Sequence, residues 1–313
     1  MSSPNSNHSN KIGSSSWLLK ETKGATLFDK SVLTILKSIY IGMRVLIRIV
    51  LGKKRRDKFY INNGINFNDF LYNSVALLGL DNSLLLVFSV PRYNFKFYSR
   101  ITRKIENFLI SDMYSSMALH EDDILQFFAP KTGDVVVDVG AAFGFYTLIS
   151  SMKVGSPGKI VAIEAQPDSF EMLNRNIRLN GLTNVVTLNY AAYSSTAKLK
   201  LFSNYSLMPE RASKNKHKFV EVEAGTLDYL LSEFAQIKQA DWIKIDVEGA
   251  ELEVLKGAHH ILSNSKDVRV LIEIHGQENY EPIKKFLSSY DFKIEFEKTY
   301  AVGDRHIILK KKS

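Results

Sequence analysis

The chain has 313 residues, 45% of them hydrophobic and 24% charged, the balance of a globular protein and not of a collagenous or wholly disordered one. It contains no cysteine, which excludes disulfides, thiolate zinc sites, cluster-based radical chemistry and cysteine-dependent pyrimidine C5 methylation. The net charge of +8 is uneven: residues 1–110 hold 17 Lys and Arg against 6 Asp and Glu, a surplus of 11, and the rest carries −3.

That surplus points the front of the chain toward an anionic surface, membrane phosphate or nucleic acid, with a solvated basic arm as the competing reading. Residues 1–16 are Ser- and Asn-rich and are expected to be a disordered tail. They lack the basic start and apolar run of a signal peptide. Ser31 to Gly52 is apolar but interrupted by Lys37, Arg44 and Arg48, each costing about 2.5–3.5 kcal/mol near a bilayer centre. On a helix the three cations fall on one stripe. Two readings stay open: residues 31–56, with the cluster Lys53 to Arg56, lie in a membrane interface, or the apolar face packs on a catalytic domain. Residues 17–120 are thus expected to be a basic, mainly helical accessory region. With neither signal peptide nor clean span, the expected location is cytoplasmic, with association at the inner membrane surface left open.

From Gly133 the pattern becomes that of parallel βαβ units. Strands are predicted at 135–139, 159–164, 184–189, 241–246, 268–274, 292–297 and 305–310. A helix is predicted at 168–180, opened by Asp168 as N-cap and stopped at Asn180-Gly181. The expected fold is α/β, a Rossmann-like doubly wound seven-stranded, mostly parallel sheet over residues 121–313.

The sharpest local signal is Val135-Val-Val-Asp138-Val-Gly140-Ala-Ala142-Phe-Gly144, a buried strand running into a glycine turn and a helix. It aims backbone N–H groups and a helix N-terminus at a ligand; Gly140 allows the tight turn and Gly144 a close approach of the ligand. Glu164 follows 20 residues after Gly144, where an acidic side chain accepts ribose hydroxyls. Ala142 and Phe145 occupy the places of the second and third glycines of a dinucleotide fingerprint, which disfavours a pyrophosphate and so NAD.

Asp138-Val-Gly-Ala-Ala-Phe-Gly144 resembles the first motif of class I S-adenosylmethionine-dependent methyltransferases. With Gly225-Thr-Leu-Asp-Tyr-Leu-Leu231, Ile243-Lys-Ile-Asp246-Val-Glu248-Gly-Ala-Glu251 and Val270-Leu-Ile-Glu273-Ile-His275, the chain resembles the FkbM methyltransferase family over about residues 120–300. Ala142 stands where that family usually has Asn. The resemblance implies S-adenosylmethionine as cofactor, with Asp138, Gly140 and Gly144 around its methionine end, Ala142 in place of one side-chain contact to that end, and Asp246 also among the cofactor-binding residues. Glu164 would hold the ribose, and Gln166 and Ala191 would flank the adenine.

Ligands of open α/β sheets bind outside the carboxyl ends of the strands, where Asp246, Glu248, Glu273 and His275 emerge. Some of these could serve only as salt-bridge or capping groups. As chemistry, Asp246 is the first candidate for a base or acceptor-orienting group and His275 the second. A bound Mg²⁺ held by Asp246, Glu248 or Glu273 is the alternative way to activate a hydroxyl, and the sequence does not choose. The resemblance favours methylation of oxygen on a sugar, glycan or small molecule; the Asn/Asp-Pro-Pro-aromatic motif of nucleobase amino-methylation is replaced here by Asp-Val-Glu-Gly. The insert Asn204 to Lys218, between strand-like segments 197–203 and 219–223, is read as an acceptor lid or an exposed basic loop. Nucleic-acid binding by the basic front is the alternative function, although no aromatic-interleaved basic stripe supports it.

Overall fold

The computed structural model describes Ser38 and residues 85–90, 95–100, 122–202, 219–299 and 305–312. The chain divides into two compact units, Met1–Ser111 and Asp112–Ser313. The expected tail at 1–16, the expected helix at 31–52 apart from helical Ser38, and the insert at 204–218 lie outside the described residues. In the first unit β1 (Leu85–Val90) and β2 (Phe95–Arg100) form an antiparallel hairpin, Leu85 opposite Arg100. These aromatic and β-branched runs favour a pleated conformation, so this stretch departs from the mainly helical expectation. Among the described residues no helix is long and apolar enough to cross a membrane.

The second unit is built on a seven-stranded sheet. In chain order its strands are β3 (Val135–Val139), β4 (Lys159–Ile163), β5 (Val185–Leu188), β9 (Trp242–Ile245), β10 (Arg269–Ile274), β11 (Phe292–Thr299) and β12 (Arg305–Lys311). Their spatial order is β11-β12-β10-β9-β3-β4-β5. Strands β10, β9, β3, β4 and β5 are mutually parallel, and β12 runs antiparallel between β10 and β11. The seven expected strands fall where the sequence placed them. Central β3 is continuously apolar but for Asp138, as a strand covered on both faces requires, and Val137 pairs with Val161 on one side and Ile243 on the other.

The chain moves from β3 outward through β4 to β5, then crosses back to the other side of β3 with β9. This makes the carboxyl ends of β3 and β9 the topological switch point, where open sheets hold their ligands. The two extra strand-like segments do not join this sheet. Strands β7 (Ala197–Phe202) and β8 (Phe219–Gly225), with the two-residue β6 (Ala191–Ala192), form a separate three-stranded sheet.

Helices α1 (Asp122–Leu125), α2 (Phe145–Val154), α3 (Pro167–Leu179), α4 (Leu227–Leu230), α5 (Glu251–Lys256), α6 (His259–Asn264) and α7 (Tyr280–Ser288) complete the described unit. A core including Val137, Ile163, Ile243, Leu255, Leu262, Ile272 and Leu287 fills the space between helices and sheet. The predicted start of α3 needs correction: its N-cap is Gln166, whose Oε1 accepts the Ser169 N–H at 2.8 Å. Pro167, with its fixed φ and no N–H to satisfy, takes the first helical position. Asp168 therefore falls in the first turn, where its charge suits the helix dipole.

Candidate active site

The turn after β3 is set by its backbone. Gly140 has φ 75°, and a Cβ there would lie 1.8 Å from the carbonyl oxygen of Asp246; only glycine lets the turns after β3 and β9 touch. Ala142, at φ 48°, also sits in the left-handed region, which costs a residue with a Cβ about 1–2 kcal/mol. Gly144, at φ 95°, is the N-cap of α2, and a Cβ there would meet Leu173 of α3 at 2.6 Å. The need for glycine here is thus accounted for by helix packing and a left-handed turn, beyond the ligand approach read from sequence.

Glu164 stands just past β4 and is 7% exposed. Its Oε2 accepts the Ala142 N–H and its Oε1 the Gln166 N–H, each at 2.8 Å, so the carboxylate ties the turns after β3 and β4 together. Burial pushes its pKa up to about 7, against those two N–H bonds and the charge of Lys244. Asp138 is buried and accepts the Thr147 hydroxyl at 2.6 Å through Oδ2. Among the described residues its Oδ1 has no hydrogen-bond partner, and it lies 3.8 Å from Lys244 Nζ. Burial also raises the Asp138 pKa, the charge of Lys244 opposing. Asn189 extends this end by donating to the carbonyls of Glu164 and Ala165. Ala191 lies in an apolar cluster with Leu201, Val222 and Ala224, against which Ala165 packs.

The end of β9 is built differently. Lys244, 5% exposed in mid-strand, donates to the Gly140 carbonyl at 3.1 Å and to Asp246 Oδ2 at 3.0 Å. Burial works to discharge this ammonium, but Asp246 and Asp138 outweigh it and hold its pKa above the ordinary lysine value. Burial likewise opposes ionisation of Asp246, yet Lys244 and His275 together keep its pKa low. Beyond the strand, Glu248 adopts φ 54° and Gly249 φ 108°. Glu248 therefore leaves the extended path of β9. Its half-exposed carboxyl is pushed upward by the low-dielectric surroundings of its inner side and by neighbouring carboxylates, with His275 opposing.

His275, just past β10, is the hub of this end. Its Nδ1 meets Glu251 Oε1 at 2.9 Å, while Nε2 lies 3.7 Å from Glu248 and 3.8 Å from Glu273. Glu273 in turn pairs with Nε2 of His306 at 2.9 Å, across the register that sets those two residues opposite each other on β10 and β12. The four expected catalytic residues are thus brought to one mouth and interlinked, so the salt-bridge role left open for them is real. Three members, Lys244, Glu251 and His306, were missed from sequence. Lys244 could have been found as a charged residue inside an otherwise buried parallel strand. Glu251 carried no such signal, because a Glu opening a helix reads as an ordinary first-turn acid.

Among the described residues, Asp246, Glu273 and His275 bring one possible metal-ligand atom each within 4.8 Å of one another. The carboxylates are already engaged by Lys244 and His306, and Glu251, Asp246 and Glu248 raise the His275 pKa to about 10 against burial. That arrangement is an ion-pair network and not the mostly water-and-oxygen octahedron that Mg²⁺ demands.

The model of the methyltransferase FkbM domain matches residues 138–294, half of the chain, opening at Asp138 and closing in β11. The chain belongs to the FkbM family of S-adenosylmethionine-dependent methyltransferases. This FkbM chain is 29% identical over 186 residues to the hexuronic acid methyltransferase AglP of Haloferax volcanii, covering 57% of the chain and 72% of AglP. It is 32% identical over 154 residues to methyltransferase sdnD of Sordaria araneosa, covering 39% of the chain and 59% of that relative. The solved FkbM methyltransferase of Methylobacillus flagellatus is 18% identical, with a TM-score of 0.44 over 56% of this chain and 43% of its own. The chain therefore spans less than two thirds of the Sordaria araneosa relative and of that solved chain.

Proposed function

We propose that residues 121–313 form a catalytic domain that moves the methyl group of S-adenosylmethionine to a hydroxyl oxygen of a sugar, a glycan or another small molecule. The division of the chain at Ser111 supports a separate catalytic unit. The reading is carried by the seating of Asp246: its backbone packs on the Gly140 turn while its carboxylate meets Glu273 and His275 within 4.8 Å. One residue thus touches both the cofactor turn and the acid–base cluster.

The residues of the first end fit the cofactor. Glu164 spends one lone pair of each oxygen on backbone N–H groups, leaving others for the two ribose hydroxyls. Buried Oδ1 of Asp138, without a hydrogen-bond partner among the described residues, suits the methionine ammonium. Gln166 and Ala191 would flank the adenine. The cofactor supplies a methyl on a cationic sulfur, which keeps the C–S electron pair when the methyl leaves. Asp246, kept ionised by Lys244, orients the acceptor hydroxyl and takes its proton as the new O–C bond forms. Alignment of this kind can be worth about 7–11 kcal/mol, and a placed base about 10²–10⁴-fold in rate.

Asp-Val-Glu-Gly after β9, in place of the nucleobase amino-methylation motif, supports an oxygen acceptor. Similarity to a protein named a hexuronic acid methyltransferase supports a sugar. Peripheral membrane contact through residues 31–56 belongs to this proposal on sequence grounds alone. The test is incubation of the full chain with methyl-labelled cofactor and separate pools of neutral sugars, uronic acids, glycolipids and RNA. Label in an alkali-stable methyl ether of a sugar is the expected result; label in RNA alone would reject the reading in favour of nucleic-acid modification.

A further inference from the structure

Glu251 has no exposed surface, an expensive place for a carboxylate without strong partners. Its Oε1 has two, the Gly249 N–H at 2.8 Å and Nδ1 of His275 at 2.9 Å. A buried carboxylate on one imidazole nitrogen fixes the ring and leaves the other nitrogen to face the reacting groups. Here that nitrogen is Nε2, placed between Glu248 and Glu273 and beside Asp246. The geometry points to Glu251 as a positioning residue that holds His275 by Nδ1, so that the Nε2 edge of the ring is presented in a fixed orientation at the acceptor mouth.

This rests on the methyl-transfer reading above and changes the division of labour within it. An imidazole that already carries both protons is no base, so the acceptor proton goes to Asp246. His275 instead donates Nε2–H to the acceptor or to the carboxylates that surround it. Among the described residues the charged groups facing it include Glu251 on α5, Glu248 on the turn before α5, Asp246 just past β9 and Glu273 on β10; His306 on β12 is joined through Glu273. The competing role for Glu251 is a helix-end brace through Gly249 alone. Glu251→Gln separates the two, because glutamine keeps an oxygen for the Gly249 N–H and loses the charge that holds the imidazolium.

The experiment uses the full chain and follows His275 by imidazole NMR, assigned against His275→Gln, beside kcat and cofactor affinity from pH 6 to 9. In the parent, His275 is expected to stay protonated across that range; in Glu251→Gln its midpoint drops by about two and a half units, to about 7.5, toward the ordinary value near 6.5. The kcat profile of the variant gains a limb falling above neutrality that the parent lacks, with about a tenfold loss at pH 8.5 and cofactor affinity within about twofold of the parent. A kcat that falls in step with cofactor affinity and shows no new limb overturns the proposal and leaves Glu251 a brace. Should the variant not fold, a parent His275 titrating near 6.5 overturns it, and one still protonated at pH 9 supports it. A parent without turnover would reject the methyl-transfer reading, while the NMR titration still decides whether Glu251 holds the imidazolium.

Discussion

The carboxyl ends of β3 and β9 lie side by side at the switch point, yet they are made of different materials. The β3 end is backbone: a turn whose glycines cannot carry a side chain, tied down by one carboxylate, Glu164, that accepts two N–H groups. The β9 end is side-chain charge: Lys244, Asp246, Glu248, Glu251, Glu273, His275 and His306 held against one another. A backbone cradle suits a ligand that never changes, such as a shared cofactor. A charge network suits a group whose proton must be moved. Lys244 joins the two, bonding the Gly140 carbonyl on one side and Asp246 on the other.

The contrast can be broken at the β9 end first. Asp246→Asn should lower kcat by about 10²–10⁴-fold and leave cofactor affinity within about threefold, as read by single-turnover kinetics and calorimetry. An equal loss of both would place Asp246 in the cofactor site instead. Lys244→Met leaves buried Asp138 and the Asp246 carboxylate without their cation, and should destabilise the domain by about 3–5 kcal/mol in urea titrations at pH 8. That loss should shrink toward acid pH, where the two carboxylates take up protons.

Effects at the β3 end should be smaller and fall on binding. Glu164→Gln is expected to weaken the cofactor by about 1.5–3 kcal/mol, the range for a hydrogen bond to a charged group. Because the Glu164 pKa stands near 7, the ionised acceptor is populated only above neutrality, so parental cofactor affinity should rise from pH 6 to 8. The variant should show no such rise. The smallest effect is expected at Ala142. Asparagine tolerates the left-handed region better than alanine, so Ala142→Asn should raise the melting midpoint by about 2–4 °C. A lowered midpoint would mean that the turn is not strained at that residue.

How much of this the sequence disclosed follows the same division. The seven strands were legible because each is a short β-branched run between turn residues, and the β3 end because Gly140, Gly144 and Glu164 keep a spacing that chemistry dictates. The β9 end was legible only as a list of ionisable residues. Which of them touch depends on pairs far apart in the chain, such as Lys244 with Gly140 or His275 with Glu251, that no local pattern reports. The Gln166 cap was missed for a related reason: Asp168 is the stronger capping residue by type, but Pro167 fixes where the helix begins.

The central claim is that the β3 end holds S-adenosylmethionine through Glu164. Calorimetric titration of the full chain with S-adenosylmethionine and, separately, with NAD, repeated on Glu164→Ala, tests it most directly. Saturable binding of S-adenosylmethionine alone, weakened about tenfold or more in the variant, is the predicted result. Binding unaffected by the substitution, or binding of NAD in its place, would contradict it.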